Sequence, residues 1–220
     1  MIGYNNLSKK LAEIKSLYSD VIFNLDDIES FVDKEKLNSR KYIKYLPILN
    51  ECQDYIEDII SKEHIKGFLN RILSSNDEEV KNLRIFIKSK ENIFVQLKAC
   101  TKCKCFKCDN NCKIEACDRC EIGGKIDFCD NDKVIVYTFL NKTLQFKNNK
   151  TDEINTYNVL GIVQDLEYDQ LFKIIEFNKQ KYVLYFYPKL SGDSYGEIKN
   201  AEDFNFAVKA FDETYVYEVR

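Results

Sequence analysis

The sequence predicts an α+β protein: a helical N-terminal hairpin or bundle, a small Cys-rich module, and a β-rich C-terminal domain with one covering helix. Three observations carry this. Apolar residues recur at helical spacing through residues 1–98. Eight of the nine cysteines crowd between Cys100 and Cys129. From residue 131 onward, β-branched and aromatic runs bounded by turn residues take over. The expected boundaries are 1–98, 99–130 and 131–220.

In the first region Leu7, Leu11, Ile14, Tyr18 and Val21 share one helical face. Asp26-Asp27 suits a helix start, where acidic charge meets the positive end of the helix dipole, and Ile28, Phe31 and Val32 continue the pattern. Pro47 predicts a further start, because a first turn tolerates proline. Ile48, Cys52, Tyr55, Ile56, Ile59 and Ile60 then form a stripe, which Ile65, Phe68, Leu69 and Ile72 extend past Gly67. A third helix opens at Asn76, with Asp77-Glu78-Glu79 in its first turn and Val80, Leu83, Ile87, Phe94 and Leu97 on its buried face. Residues 83–87 and 93–97 also read as two strands, and both readings stay open. An antiparallel helical hairpin or small bundle follows.

In the third region, strands at 134–140 and 143–146 flank Asn141-Lys142, which reads as a hairpin turn. Residues 157–163 form another strand. Residues 171–177 and 182–187 read as a second hairpin around 178–180, ended by Pro188. The segment 182–187 is apolar on both faces, which places it inside the sheet rather than on an edge. Its Tyr185 and Tyr187 share a face and suit either a half-buried sheet or a binding surface. Asn200 reads as an N-cap before a short helix with Phe204, Ala207, Val208 and Phe211 on its apolar face. Residues 214–219 read as a last strand.

The middle region runs Cys100-x2-Cys103-x-Cys105-x2-Cys108-x3-Cys112-x4-Cys117-x2-Cys120-x8-Cys129. A CxxC turn sets two sulfurs on one side of a tight bend, at a separation that suits a tetrahedral ion. Soft thiolate ligands select Zn2+ over Mg2+ or Ca2+, and eight sulfurs match two closed four-sulfur sites. The expected cofactor is therefore two zinc ions per chain. The preferred partition gives Cys100, Cys103, Cys117 and Cys120 to one ion and Cys105, Cys108, Cys112 and Cys129 to the other. A sequential partition and a thiolate-bridged cluster are the alternatives. Interleaved Lys102, Lys104, Lys107, Lys113, Arg119 and Lys125 offset the thiolate charge. The segment has few large apolar residues (Phe106, Ile114, Ile122, Ile126 and Phe128), too few to fold alone. Structural zinc contributes about 10–16 kcal/mol in comparable peptides, enough to organise it. Gly123-Gly124 supplies the turn before Cys129. The iron–sulfur run C-x2-C-x2-C-x3-C-P does not match this spacing.

Cys103-x-Cys105 with Cys117-x2-Cys120 resembles the zinc centre of redox-regulated chaperones, over four residues and with a much shorter spacer. That resemblance implies a redox-sensing zinc–thiolate site as one alternative. Cys52 lies on an apolar helix stripe and reads as a core thiol. His64, the only histidine, reads as a surface residue.

Function follows largely by exclusion. The chain of 220 residues is 45% hydrophobic and 31% charged, with a net charge of −3 that falls entirely within residues 131–220 and no basic arm or acidic tail. No basic arm argues for nucleic-acid binding by bulk charge. No apolar run approaches the roughly 18 residues that span a bilayer. No signal peptide is visible at the N-terminus, so a cytoplasmic location with reduced thiols is expected. Nucleotide-loop, nucleophile-elbow and zinc-protease motifs are absent, no catalytic residue stands out, and Asp165 with Glu167 reads as a solvated acidic pair. No membrane partner or small-molecule substrate is evident. The expected function is a non-enzymatic protein with structural zinc fixing the angle between its neighbouring regions. Its surface would take a protein partner or a second copy, through the helices or the tyrosine-bearing sheet. The alternatives are a nucleic-acid-binding zinc ribbon and the redox sensor. Usage rich in Lys, Asn and Ile is that of an AT-rich genome, as in bacteria or phage.

Overall fold

A computed structural model of the chain describes residues 4–61, 78–108, 116–147 and 152–218. It is a mixed structure of helices and antiparallel sheet, as the α+β expectation requires. Contacts divide it into two compact units. One comprises Met1–Lys102 with Phe106–Ile122, the other Cys103–Cys105 with Gly123–Arg220.

The helical unit is built from α1 (Tyr4–Ile28), α2 (Lys34–Ser39), α3 (Lys41–Ser61), α4 (Glu78–Ser89) and α5 (Glu91–Cys100), with a short α6 (Ala116–Arg119). Helix α3 packs against α1, α2, α4 and α5. The stripe of α1 is Leu7, Leu11, Ile14, Leu17, Val21 and Ile28, so Leu17 rather than Tyr18 takes the inward place. Asp26-Asp27 does not start a helix; it lies in the last turn of α1. Acidic charge there opposes the helix dipole by about 0.3–1 kcal/mol, whereas burying Ile28 stabilises by about 1.5–3 kcal/mol, and burial wins. Phe31 lies beyond the helix and is 75% exposed. The N-cap of α2 is Asp33, whose Oδ1 accepts from the Glu35 N–H at 2.9 Å.

Pro47 likewise does not open α3 but sits inside it. An internal proline costs about 3 kcal/mol. Burial of Tyr42 before it, and of Leu49, Cys52 and Ile56 after it, offsets that cost. Residues 83–87 and 93–97 are helical, broken at Lys90, and the strand reading is wrong. Val80, Leu83, Ile87, Phe94 and Leu97 are all buried at helical spacing, which decides between the two periods. The expected start at Asn76, the extension through Ile65–Ile72 and His64 lie outside the described residues. No helix among the described residues is long and apolar enough to cross a membrane.

The second unit is a six-stranded antiparallel meander: β1 (Gly124–Cys129), β2 (Val134–Lys147), β3 (Ile154–Asp165), β4 (Gln170–Phe177), β5 (Gln180–Tyr187) and β6 (Ser194–Glu197), in chain order across the sheet. Helix α7 (Ala201–Glu218) covers one face. Asn141 does not make a hairpin. It takes φ 62° within the continuous strand β2, where the register with β3 slips between Thr138 and Lys142. Such a bulge bends the strand. A second slip, between Val159 and Gly161, bends β3 against β4. The sheet curls so far that Phe146, near the end of β2, meets Tyr195 of β6 at 5.1 Å between ring centroids.

This curl explains why β3 and β4 are buried on both faces. One face sets Val134, Val136, Val163, Phe172 and Ile174 against Ala207, Ala210 and Phe211 of α7. The other encloses Ile135, Tyr137, Ile162, Gln164 and Lys173. Lys173 is 2% exposed. Its ammonium lies 3.6 Å from the Phe186 ring centre and 3.8 Å from Asp193, so the buried charge meets both a π face and a carboxylate. The β4–β5 turn uses Asn178 and Lys179 at φ 51° and 65°, as a two-residue hairpin requires. As expected, β5 is an interior strand and Pro188 follows it.

Residues 214–218 continue α7 instead of forming a strand. Thr214 is buried one turn after Ala210, and its hydroxyl donates to the Ala210 carbonyl at 3.0 Å. Asn200 does cap the start, accepting from the Glu202 N–H at 2.9 Å. Phe204, expected inward, is 46% exposed.

At Gly161 the sheet packs tightly against Phe211 of α7. A Cβ there would lie 2.6 Å from Cε2 of Phe211 and 2.7 Å from the Tyr137 carbonyl oxygen. The second contact is backbone and cannot step aside. Gly161→Ala is therefore expected to destabilise the protein by about 1–3 kcal/mol, read as a lower urea midpoint; an unchanged midpoint would contradict this packing.

Candidate metal centre

Helix α5 carries the chain into the cysteines. Its last residue is Cys100, and Gln96 stands one turn earlier on the same face. Gln96 is 1% exposed within a run of apolar neighbours. Its Nε2 donates toward the sulfur of Cys100 at 3.5 Å and that of Cys120 at 4.0 Å. Cys117 and Cys120 are joined by a tight turn, with the Cys120 N–H donating to the Cys117 carbonyl at 3.3 Å.

Three consecutive residues at the α2–α3 junction hold this part of the chain. Arg40 is buried, and its guanidinium donates to the Cys108 carbonyl at 2.5 Å. The Lys41 ammonium donates to the Cys120 carbonyl. The Tyr42 ring meets Phe106 edge-on at 4.9 Å, and Phe106 is buried. Burial raises the Tyr42 phenol above its ordinary value; Arg40 beside it acts the other way, and the Cys117 and Cys100 sulfurs add to the rise. Two cations and one amide thus serve the cysteine loops of the helical unit. Sequence reading missed all four residues. Residues 40–42 look like any polar helix start. Gln96 did leave a signal, as a lone amide on an apolar face four residues before a cysteine.

In the sheet unit, Cys103 accepts from the Ile126 N–H at 3.3 Å and hydrogen-bonds with Cys105. The bond with Cys105 leads in lowering the Cys103 thiol to about 7; burial opposes it and the Ile126 N–H assists. This contact joins two residues that the preferred partition gives to different ions. Cys129 ends β1. It accepts from the Asn131 N–H at 3.4 Å, in a turn whose Asp130 carboxylate accepts from three backbone N–H groups, those of Asp132, Lys133 and Val134. Lys125 pairs with the half-buried Asp127 carboxylate at 2.5 Å. Of the expected Gly123-Gly124 turn, Gly123 takes φ 77°, while Gly124 already opens β1, a strand the sequence reading did not foresee.

No disulfide joins the described cysteines, Cys52, Cys100, Cys103, Cys105, Cys108, Cys117, Cys120 and Cys129. Cys112 and Lys113 lie outside the described residues. Among the described residues no three Cys, His, Asp or Glu side chains converge closely enough to hold an ion. Four sulfurs face N–H donors: Cys100 and Cys120 the Gln96 amide, Cys103 the Ile126 N–H, and Cys129 the Asn131 N–H. That chemistry fits thiolate, because a nitrogen-bound proton aimed at sulfur favours the deprotonated form. The acidic pair is absorbed structurally: Asp165 Oδ1 accepts from the N–H groups of Glu167 and Tyr168 and closes the β3–β4 turn.

No protein-family model matches the chain, and no curated protein or solved structure matches it.

Cys52 gives a contrast. It is buried in α3, and burial, followed by the charge of Glu51, pushes its thiol up to about 11. The folded state therefore favours the neutral thiol. That contribution is complete below pH 9, the ordinary thiol value, and is lost as pH rises toward 11. Cys52 is expected to resist alkylation at pH 8–9 in the native protein and to label on unfolding. Native labelling as fast as that of the unfolded chain would contradict its burial.

Proposed function

We propose that the chain is a non-enzymatic zinc protein whose zinc is structural and whose task is protein–protein interaction or scaffolding. The observation that carries the reading is the placing of sulfurs before N–H donors: Cys100 and Cys120 at the Gln96 amide, and Cys103, which bonds with Cys105, at the Ile126 N–H. Thiolates so placed are prepared for a soft divalent cation. The donor set is sulfur, and a closed thiolate site leaves no position for substrate. The eight candidate ligands remain Cys100, Cys103, Cys105, Cys108, Cys112, Cys117, Cys120 and Cys129.

A binding role draws support from the exposed apolar side chains. Phe23, Phe31, Ile85 and Val95 are exposed in the helical unit, and Tyr182, Tyr187, Phe204 and Leu190 in the sheet unit. Exposed aromatic side chains such as these suit a partner surface. A nucleic-acid role would instead show as retention on nucleic acid that falls steeply with salt.

Metal analysis of the purified full chain is expected to give close to two zinc per chain. A value near zero in folded protein would overturn the structural-zinc reading.

A further inference from the structure

We propose that the groove between α1 and α5 is a binding site for a single-chain carboxylate amphiphile, such as a medium-chain fatty acid. Its alkyl chain lies on the apolar floor of the groove, and its carboxylate meets Lys10 and Lys102. The site lies wholly within the helical unit and makes no use of the cysteines.

Three observations lead here. First, α1 and α5 pack together yet leave a groove of about 370 Å3 between them. Sites for small ligands run from about 300 to 1,000 Å3. Along α1 the groove reaches from Lys10 to Asp20, roughly 15 Å at the helical rise per residue. A helix with its side chains is about 10 Å across, so a single turn already fills roughly 400 Å3. A narrow chain fits this space and a partner helix does not. Second, the floor is apolar. Ile14, Leu17 and Phe94 are buried beneath it, and Val95 beside them is 43% exposed. Third, the charges facing the groove are uneven. Lys10, Lys98 and Lys102 stand against Glu13 and Asp20. Lys98 meets Glu13 at 3.7 Å. Lys10 and Lys102 form no ion pair among the described residues, and neither does Asp20.

Size, floor and charge together select the ligand. A methylene fully taken from water tightens binding about fourfold; in a groove open on one side the gain is about twofold. An alkyl chain laid here also covers Val95. The ammonium of lysine is a compact charge on a flexible stem, so Lys10 and Lys102 can reach a carboxylate at the mouth without a fixed geometry. There the carboxylate keeps part of its hydration, which spares it the cost of full burial. An uncharged chain leaves both lysines unused, and a cationic one meets the excess of positive charge.

The test is titration of the full chain with decanoate at low salt, followed by calorimetry and by backbone amide shifts. Saturable binding of one decanoate per chain is expected, with the shifts confined to α1, α5 and residues 101–102. Octanoate, two methylenes shorter, is expected to bind about fourfold more weakly. Decanol and decyltrimethylammonium are expected to bind far more weakly than decanoate. Replacing both Lys10→Gln and Lys102→Gln is expected to weaken decanoate on the order of tenfold and to leave decanol unchanged. Val95→Glu, which sets a carboxylate beside the floor, is expected to abolish binding; if that variant does not fold, the lysine variant decides. No saturable binding, shifts outside the groove, or equal affinity for decanol would overturn the proposal. So would undiminished decanoate binding by the folded lysine variant. Binding to anionic phospholipid vesicles that decanoate does not displace would also overturn it, because the lysines would then serve a membrane surface. None of these outcomes bears on the zinc content of the chain.

Discussion

Thiolate sulfur is large, soft and negatively charged, and eight cysteines within about thirty residues cannot all lie close together unless something positive lies among them. The rest of the middle segment depends on how that charge is met. Its described buried apolar side chains are few: Cys100, Phe106 and Cys120 in the helical unit and Ile126 in the sheet unit. So few apolar side chains cannot order the segment by themselves. What the segment has instead is donors. The Gln96 amide and the N–H groups of Ile126 and Asn131 face sulfur, while Arg40 and Lys41 hold the carbonyls of Cys108 and Cys120. On the reading proposed here, zinc completes this arrangement and takes the place that apolar burial has elsewhere in the chain.

The sheet unit solves its own packing differently. Two register slips curl the meander until Phe146 meets Tyr195, and the concave face then encloses Tyr137, Gln164 and Lys173. The polar groups are matched there: the Tyr137 hydroxyl donates to Gln164 at 2.9 Å, and Lys173 meets Phe186 and Asp193. On the convex face α7 seats Phe211 over Gly161. Near its start, the Tyr185 hydroxyl donates to the Asp203 carboxylate, which pushes that phenol up to about 12. This bond ties β5 to the covering helix.

Legibility in the sequence followed the strength of the competing terms. Strands 157–163, 171–177 and 182–187 were readable because β-branched and aromatic runs with strong turn residues leave one period open. The helix at Asn200 was readable from its cap. The errors came where a weak local signal was trusted over burial. Asp26-Asp27 and Pro47 look like helix starts, but the apolar stripes around them run on, and packing outweighs a dipole or a single lost hydrogen bond. Asn141 looks like a turn, yet one left-handed residue can make a bulge within a strand. Residues 214–218 have strand-like composition, and only the buried spacing of Ala207, Ala210, Phe211 and Thr214 shows the helix going on. The expectation of a metal site rests on the cysteine spacing. Arg40, Lys41 and Tyr42 did not, because contacts sixty to eighty residues away in sequence leave no periodic trace.

The central claim is that sulfur-held zinc, not a hydrophobic core, orders residues 99–130. Amide hydrogen exchange across the full chain, with zinc bound and after its removal by a chelator, tests it most directly. The account predicts that protection collapses over 99–130 and persists in α3 and in β3–β5. Protection over 99–130 that is the same with and without metal would contradict it.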